Sequence, residues 1–118
     1  MNIFVLEDST NRVAYFIERY FDHELTITEN ANAAIVYLQE NTYDYIFLDH
    51  DLGTNNGSGA DVAAFLSSGM SVNDDAIVII HSWNMPAVAV MLSMLPRAFI
   101  LPFGSDEFNG VDICNRGS

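Results

Sequence analysis

Apolar positions in this chain follow two rhythms in alternation. Short unbroken runs are interleaved with stripes spaced three and four residues apart, the pattern of strands alternating with amphipathic helices. Asn2-Ile3-Phe4-Val5-Leu6 is a strand-length run that ends at the acidic pair Glu7-Asp8. Val13, Phe16, Ile17 and Tyr20 then share one helical face, behind a cap drawn from Ser9, Thr10 or Asn11. Leu25-Thr26-Ile27-Thr28 predicts a second strand, less buried than the first. Asn30 or Asn32 opens a second helix with Ala31, Ala34, Ile35 and Leu38 along one side, ending near Asn41.

The rest of the chain is organised around the third run. Ile46, Phe47 and Leu48 have the continuous apolar character of a central parallel strand, and they stop abruptly at Asp49-His50-Asp51, ahead of the glycine-rich loop 53–59. Ser58 or Asp61 starts a third helix through Val62, Phe65 and Leu66, which Gly69 stops. Ala76-Ile77-Val78-Ile79-Ile80 is the fourth strand, and it too ends in a polar cluster, His81-Ser82-Trp83-Asn84. Pro86 suits the first turn of a fourth helix, whose buried stripe is Val88, Met91, Leu92 and Leu95. Ala98-Phe99-Ile100-Leu101 is the last strand, and the polar segment after Pro102 leaves room only for a brief fifth helix.

Strands alternating with helices predict an α/β fold: a flavodoxin-like, doubly wound sheet of five parallel strands in the order 2-1-3-4-5, folded as one domain over residues 1–115. The closing Arg116-Gly117-Ser118 is set aside as an appended remnant. In such a sheet ligands bind beyond the carboxyl ends of the strands where strand order reverses. Glu7-Asp8, Asp49-His50-Asp51 and His81-Ser82 are the polar tips that converge on that edge.

Charge narrows the ligand. Sixteen acids stand against four bases for a net charge of -12, and those bases are Arg12, Arg19, Arg97 and Arg116, with no lysine. Such a field repels duplex nucleic acid and anionic membranes, so an anionic ligand must be captured locally by a metal ion, a helix N-terminus or a single arginine. A lone cysteine, Cys114, permits no internal disulfide, and no residue pattern marks it as a nucleophile. With no signal segment and no apolar run long enough to span a bilayer, the expected compartment is the cytoplasm.

Acid–base hydrolysis needs one group to accept a proton and another to donate one, tasks that suit histidines titrating near neutrality. His50 and His81 are the candidates, assisted by Asp51. Asp49 or Asp51 fixes their tautomers, or joins Glu7 and Asp8 in holding Mg²⁺ or Mn²⁺, because hard cations take carboxylate oxygens. Backbone N–H groups near Ser58-Gly59 offer a second anion cradle. Each choice has a structural rival. The lesser reading of His50 is a paired surface histidine and that of His81 a satisfied core histidine, Glu7-Asp8 read equally as helix-capping acids, and Asp61 is preferred as a helix-start residue. Trp83 could stack a base, but packing against the fourth helix is the preferred reading. Met85, Met91 and Met94 are expected to pack, and His23 to be solvated.

An acidic pair after the first strand and Asp49 after the third resemble response-regulator receiver domains, which implies Mg²⁺ held by the pair and Asp49 as phosphoacceptor. Ser82 approximates that family's hydroxyl residue. Leu101, however, precedes Pro102 where receivers carry a lysine. A closer resemblance covers nearly the whole chain: Leu48-Asp49-His50-Asp51-Leu52-Gly53, then Gly57-Ser58-Gly59-Ala60-Asp61-Val62-Ala63, then Ile80-His81-Ser82-Trp83-Asn84 look like the receiver-derived family of cyclic-phosphate-processing receiver domains. That resemblance implies a small cyclic-phosphate or nucleotide ligand. Catalysis would fall to His50, His81 and Asp51, metal binding to Glu7, Asp8 and Asp49, and ligand contact to Ser58, Gly59, Ser82, Asn84 and Arg12. Arg12 is displaced from that family's usual arginine position, and Val88 stands near another arginine's place. The alternative is a non-enzymatic degenerate receiver that binds a partner protein or sequesters a nucleotide.

Overall fold

The structure, a computed structural model, describes residues 1–111 and 113; Cys114 and Arg116-Gly117-Ser118 lie outside the described residues. Its elements are β1 (Asn2–Leu6), α1 (Thr10–Arg19), β2 (Glu24–Thr28), α2 (Ala31–Glu40), β3 (Tyr45–Leu48), α3 (Gly59–Ser67), β4 (Ile77–Ile80), α4 (Met85–Met94), β5 (Phe99–Ile100) and α5 (Asp106–Asn109). The strands are parallel in the order β2-β1-β3-β4-β5. The expected doubly wound, five-stranded sheet is therefore the observed one.

Strand alternation divides the core. Phe4, Leu6, Ile46, Leu48 and Ile80 face α2, α3 and α4, whereas Ile3, Val5, Tyr45, Phe47 and Ile79 face Phe16 and Tyr20 at α1 and Phe108 of α5. Helix starts follow local chemistry. Ser9, Asn30, Asn84 and Ser105 each accept a backbone N–H from the first turn. At the sheet's amino edge, buried Asn73 accepts from Tyr43 N–H at 2.7 Å and donates to the carbonyls of Leu38 and Asn41, tying the connections before β3 and β4 together.

Several expectations are corrected. Ile17 is 52% exposed, because α1 rolls its buried line through Phe16 and Tyr20 and packs Tyr15 beside them. Met91 is buried, but Met85 is exposed at the mouth of α4. The last strand is shorter than residues 98–101, with Phe99 and Ile100 exposed at the sheet edge. His23 is half-buried against the Tyr20 ring instead of solvated.

Candidate functional site

The sheet register brings the strand tips level. Leu6 pairs with Leu48, and Leu48 with Ile80, so the next residues, Glu7, Asp49 and His81, stand side by side. Asp49 N–H donates to Leu6 O and His81 N–H to Leu48 O, extending the ladder one step past the strands. By the same alternation all three side chains follow Val5, Phe47 and Ile79 toward α1 and α5. One ligand atom from each lies within 4.8 Å of the others.

Glu7 is fully engaged. Its Oε2 accepts the N–H groups of Asp8 and Ser9 at 3.0 Å each, and its Oε1 meets His81 Nε2 at 3.0 Å, with Arg12 Nη1 at 3.8 Å. Burial alone would raise its pKa, but the His81 N–H, the Ser9 amide and the remaining favourable contacts hold it at about 2. Asp49 is the opposite case. Burial first, then the Glu7 charge, push it up to about 7 against the pull of the His50 amide on its Oδ1. Asp8 is raised too, by burial and by Glu7. A Cβ on Gly53 would stand 3.6 Å from Asp8 Oδ2, so this carboxyl faces the loop after β3.

His81 is not open to a ligand. It is 0% exposed and ringed by Phe16, Phe47, Phe103 and Phe108. Burial lowers its pKa more than Glu7 raises it, so the neutral ring carries its proton on Nε2 and donates it to Glu7; Nδ1 has no partner among the described residues. His81 does not share a crevice with His50, because Ile79 and His81 have the same parity and point into the α1 side.

His50 takes the other direction. Its Nδ1 lies 2.8 Å from Asp51 Oδ1 with the side chain 22% exposed, and Asn84 Nδ2 reaches both Asp51 oxygens at 3.4 Å. The hydrogen bond from His50 lowers the Asp51 pKa, outweighing its slight desolvation. Asn84 links this pair to α4, which it caps through Ala87 N–H.

The Ser58-Gly59 cradle is closed. Ser58 N–H donates to Asp61 Oδ2 in a capping box, and Gly59 N–H donates to His50 O at 2.9 Å, so neither amide is open to an anion. Ser82 is buried and its Oγ accepts Asn84 N–H. Arg12 does reach the site: besides its approach to Glu7, its guanidinium lies 4.9 Å over the Phe103 ring. Trp83 departs furthest from expectation. It is 57% exposed, and its Nε1–H donates to Phe103 O at 2.8 Å instead of the indole packing on α4.

A cavity of about 420 Å³ between α3, β4 and α4 lies at the opposite edge of the sheet. Among the described residues its ionisable lining is Asp74, Asp75 and Arg97, and Arg97 donates to the Asp74 carbonyl.

The model of a family described as cyclic-phosphate processing receiver domains matches residues 1–97. The comparison with curated proteins finds no match. Among solved structures, the chain is similar to the response regulator TrrA from Thermotoga maritima in complex with Mg(2+)-BeF, at 21% identity and a TM-score of 0.70 over 92% of this chain and 94% of that one. A response regulator from Burkholderia pseudomallei with a phosphorylated aspartic acid, calcium ion and citrate matches at 16% and 0.72 over 89% of this chain, which spans 61% of that one. A response regulator receiver domain from Methylobacillus flagellatus matches at 16% and 0.68, over 88% and 86%.

Proposed function

The chain belongs to the cyclic-phosphate processing receiver domain family, and from that premise we propose that it binds a cyclic phosphate ester at the carboxyl edge of its sheet and opens the ring by hydrolysis. The observation that carries this reading is the His50–Asp51 pair. Asp51 accepts the Nδ1–H hydrogen bond at 2.8 Å, which leaves the Nε2 lone pair of a partly exposed imidazole as a general base.

Water adds to phosphorus, His50 Nε2 accepts its proton, one ring P–O bond breaks, and the released oxygen takes a proton from solvent at the open rim. Asp51 orients the base and Asn84 holds Asp51. His81 acts as a positioning residue: its Nε2–H keeps Glu7 ionised and in place. Among the described residues, Arg12 is the arginine beside the site and is at hand for the phosphate.

The carboxyl groups suit a divalent cation. Asp49 and Asp8 are raised by burial and then by ionised Glu7 beside them, and a hard cation held by Asp8 and Asp49 beside Glu7 would relieve the repulsion. Mg²⁺ or Mn²⁺ so bound would screen the phosphate from the carboxylates and stabilise charge on the leaving oxygen. The Mg(2+)-BeF complex and the calcium-bound relative support this assignment.

The test is product formation from 2′,3′-cyclic and 3′,5′-cyclic nucleotides with Mg²⁺, Mn²⁺ or chelator. His50→Ala is expected to lower turnover by roughly 10²- to 10⁴-fold, and Asp51→Asn by a smaller factor. Intact substrates from folded wild-type protein would refute catalysis on these esters. One observation favours a second reading: with His81 sealed, only one histidine meets the ligand, which suits a domain that sequesters a nucleotide without turning it over. Tight binding without product would select that reading.

A further inference from the structure

Trp83 is a large apolar side chain left in solvent at the rim of the site, yet its ring is anchored by a hydrogen bond. Its Nε1–H is committed to Phe103 O at 2.8 Å, while Ser82 Oγ accepts Asn84 N–H at 3.0 Å and Phe103 N–H donates to His81 O at 2.9 Å. The residue before it carries the buried hydroxyl, and the residue after it holds Asp51. On its other side, the Phe103 ring supports Arg12 beside Glu7. An indole whose only donor is occupied offers nothing but its π faces. Fixing those faces in advance removes most of the ordering cost of a stack.

We propose that Trp83 is a nucleobase platform, so that the ligand is a base-bearing cyclic phosphate, with the ester at His50 and Arg12 and the base stacked on the indole. This rests on the reading of the site as a cyclic-phosphate site. The charge distribution agrees with it. Between Ala76 and Ser105 the sequence holds one charged residue, Arg97, so the base end of the ligand lies over a segment free of carboxylates. The base can come from a free nucleotide or from the 3′ end of an RNA. The net charge of -12 opposes the additional phosphates of a polymer, which favours the mononucleotide.

Trp83 is the chain's one tryptophan, so its fluorescence reports the stack directly. With Mg²⁺ present, adenosine 2′,3′-cyclic phosphate is expected to quench it and to bind about 10-fold more tightly than glycerol 1,2-cyclic phosphate, which has the same ring and no base. By calorimetry, Trp83→Ala erases that preference while keeping the affinity for the glycerol ester, and Trp83→Phe restores most of it. A dinucleotide ending in the same cyclic phosphate binds more weakly than the mononucleotide; tighter binding would keep the platform but assign the base to an RNA end. Equal affinity for both small esters, or a preference that survives Trp83→Ala, would overturn the platform and leave ring opening intact. Failure of every ester to bind would overturn both.

Discussion

Asp49 is a carboxyl group whose ionisation is opposed from two sides, by burial and by Glu7, and stability should record it. Its folded pKa of about 7 lies above the ordinary 3.8, so between those values the folded chain keeps a proton that the unfolded chain has released. Stability conferred by this group is complete below about pH 4 and is lost as pH rises through 7. Asp49→Asn is therefore expected to stabilise the protein at pH 8, by on the order of 2 kcal/mol, and to change little at pH 4.5. Mg²⁺ should raise the Tm of the wild type more than that of the variant. Thermal melts across pH, with and without Mg²⁺, check both; a variant less stable than wild type at pH 8 would contradict the repulsion. Glu7 behaves oppositely, giving stability above pH 4.5 that is lost as pH falls toward 2. The identity of these acids was legible in the sequence because they end apolar runs. The seclusion of His81 was legible in principle, since it shares the parity of Ile79, but the aromatic wall around it is built from Phe16, Phe103 and Phe108, which only the fold assembles.

Among elements, α3 sets the position of the His50 loop. Its first residue, Gly59, lies so close to the chain after β3 that a Cβ there would collide with the Asp49 carbonyl and stand 3.0 Å from His50 Cα. The Gly59 N–H to His50 O bond and the Asp51–Ser58 bridge fasten the same contact. Gly59→Ala is expected to cost about 2–4 kcal/mol and to displace His50, lowering the denaturant midpoint and turnover together. Wild-type stability in that variant would mean the loop can retreat freely. Periodicity predicted the helices well because their cores are simple stripes, such as Ala31, Ala34 and Leu38 in α2. It failed at Ile17, where the pattern is satisfied equally by a face rolled toward Tyr15, and tertiary packing decided between the two. The Ser58-Gly59 amides were misread for a related reason. A helix N-terminus looks open in sequence, but Asp61 three residues on claims the Ser58 N–H in a capping box, and nothing local reveals that the His50 carbonyl will claim that of Gly59.

Across the whole molecule, the uneven charge determines how an anion can arrive. The acids crowd the segments before residue 76 and after residue 105, while the segment that forms β4, α4 and β5 holds only Arg97. At roughly 10 mM salt the Debye length is about 30 Å, comparable with the 33 × 27 × 23 Å molecule, so every acid is felt at the rim. At about 0.15 M it is near 8 Å, and the distant acids no longer oppose the approach past Trp83. The association rate for adenosine 2′,3′-cyclic phosphate, at constant Mg²⁺, should therefore rise several-fold over that salt range. Nucleic-acid-binding domains show the reverse, because they release counterions on binding and lose affinity as salt increases. Stopped-flow quenching of Trp83 measures the rate directly. A rate that falls with salt would mean that Arg12 and the bound cation outweigh the field of the remaining carboxylates, and that the ligand is drawn in by the site instead of being admitted along its neutral side.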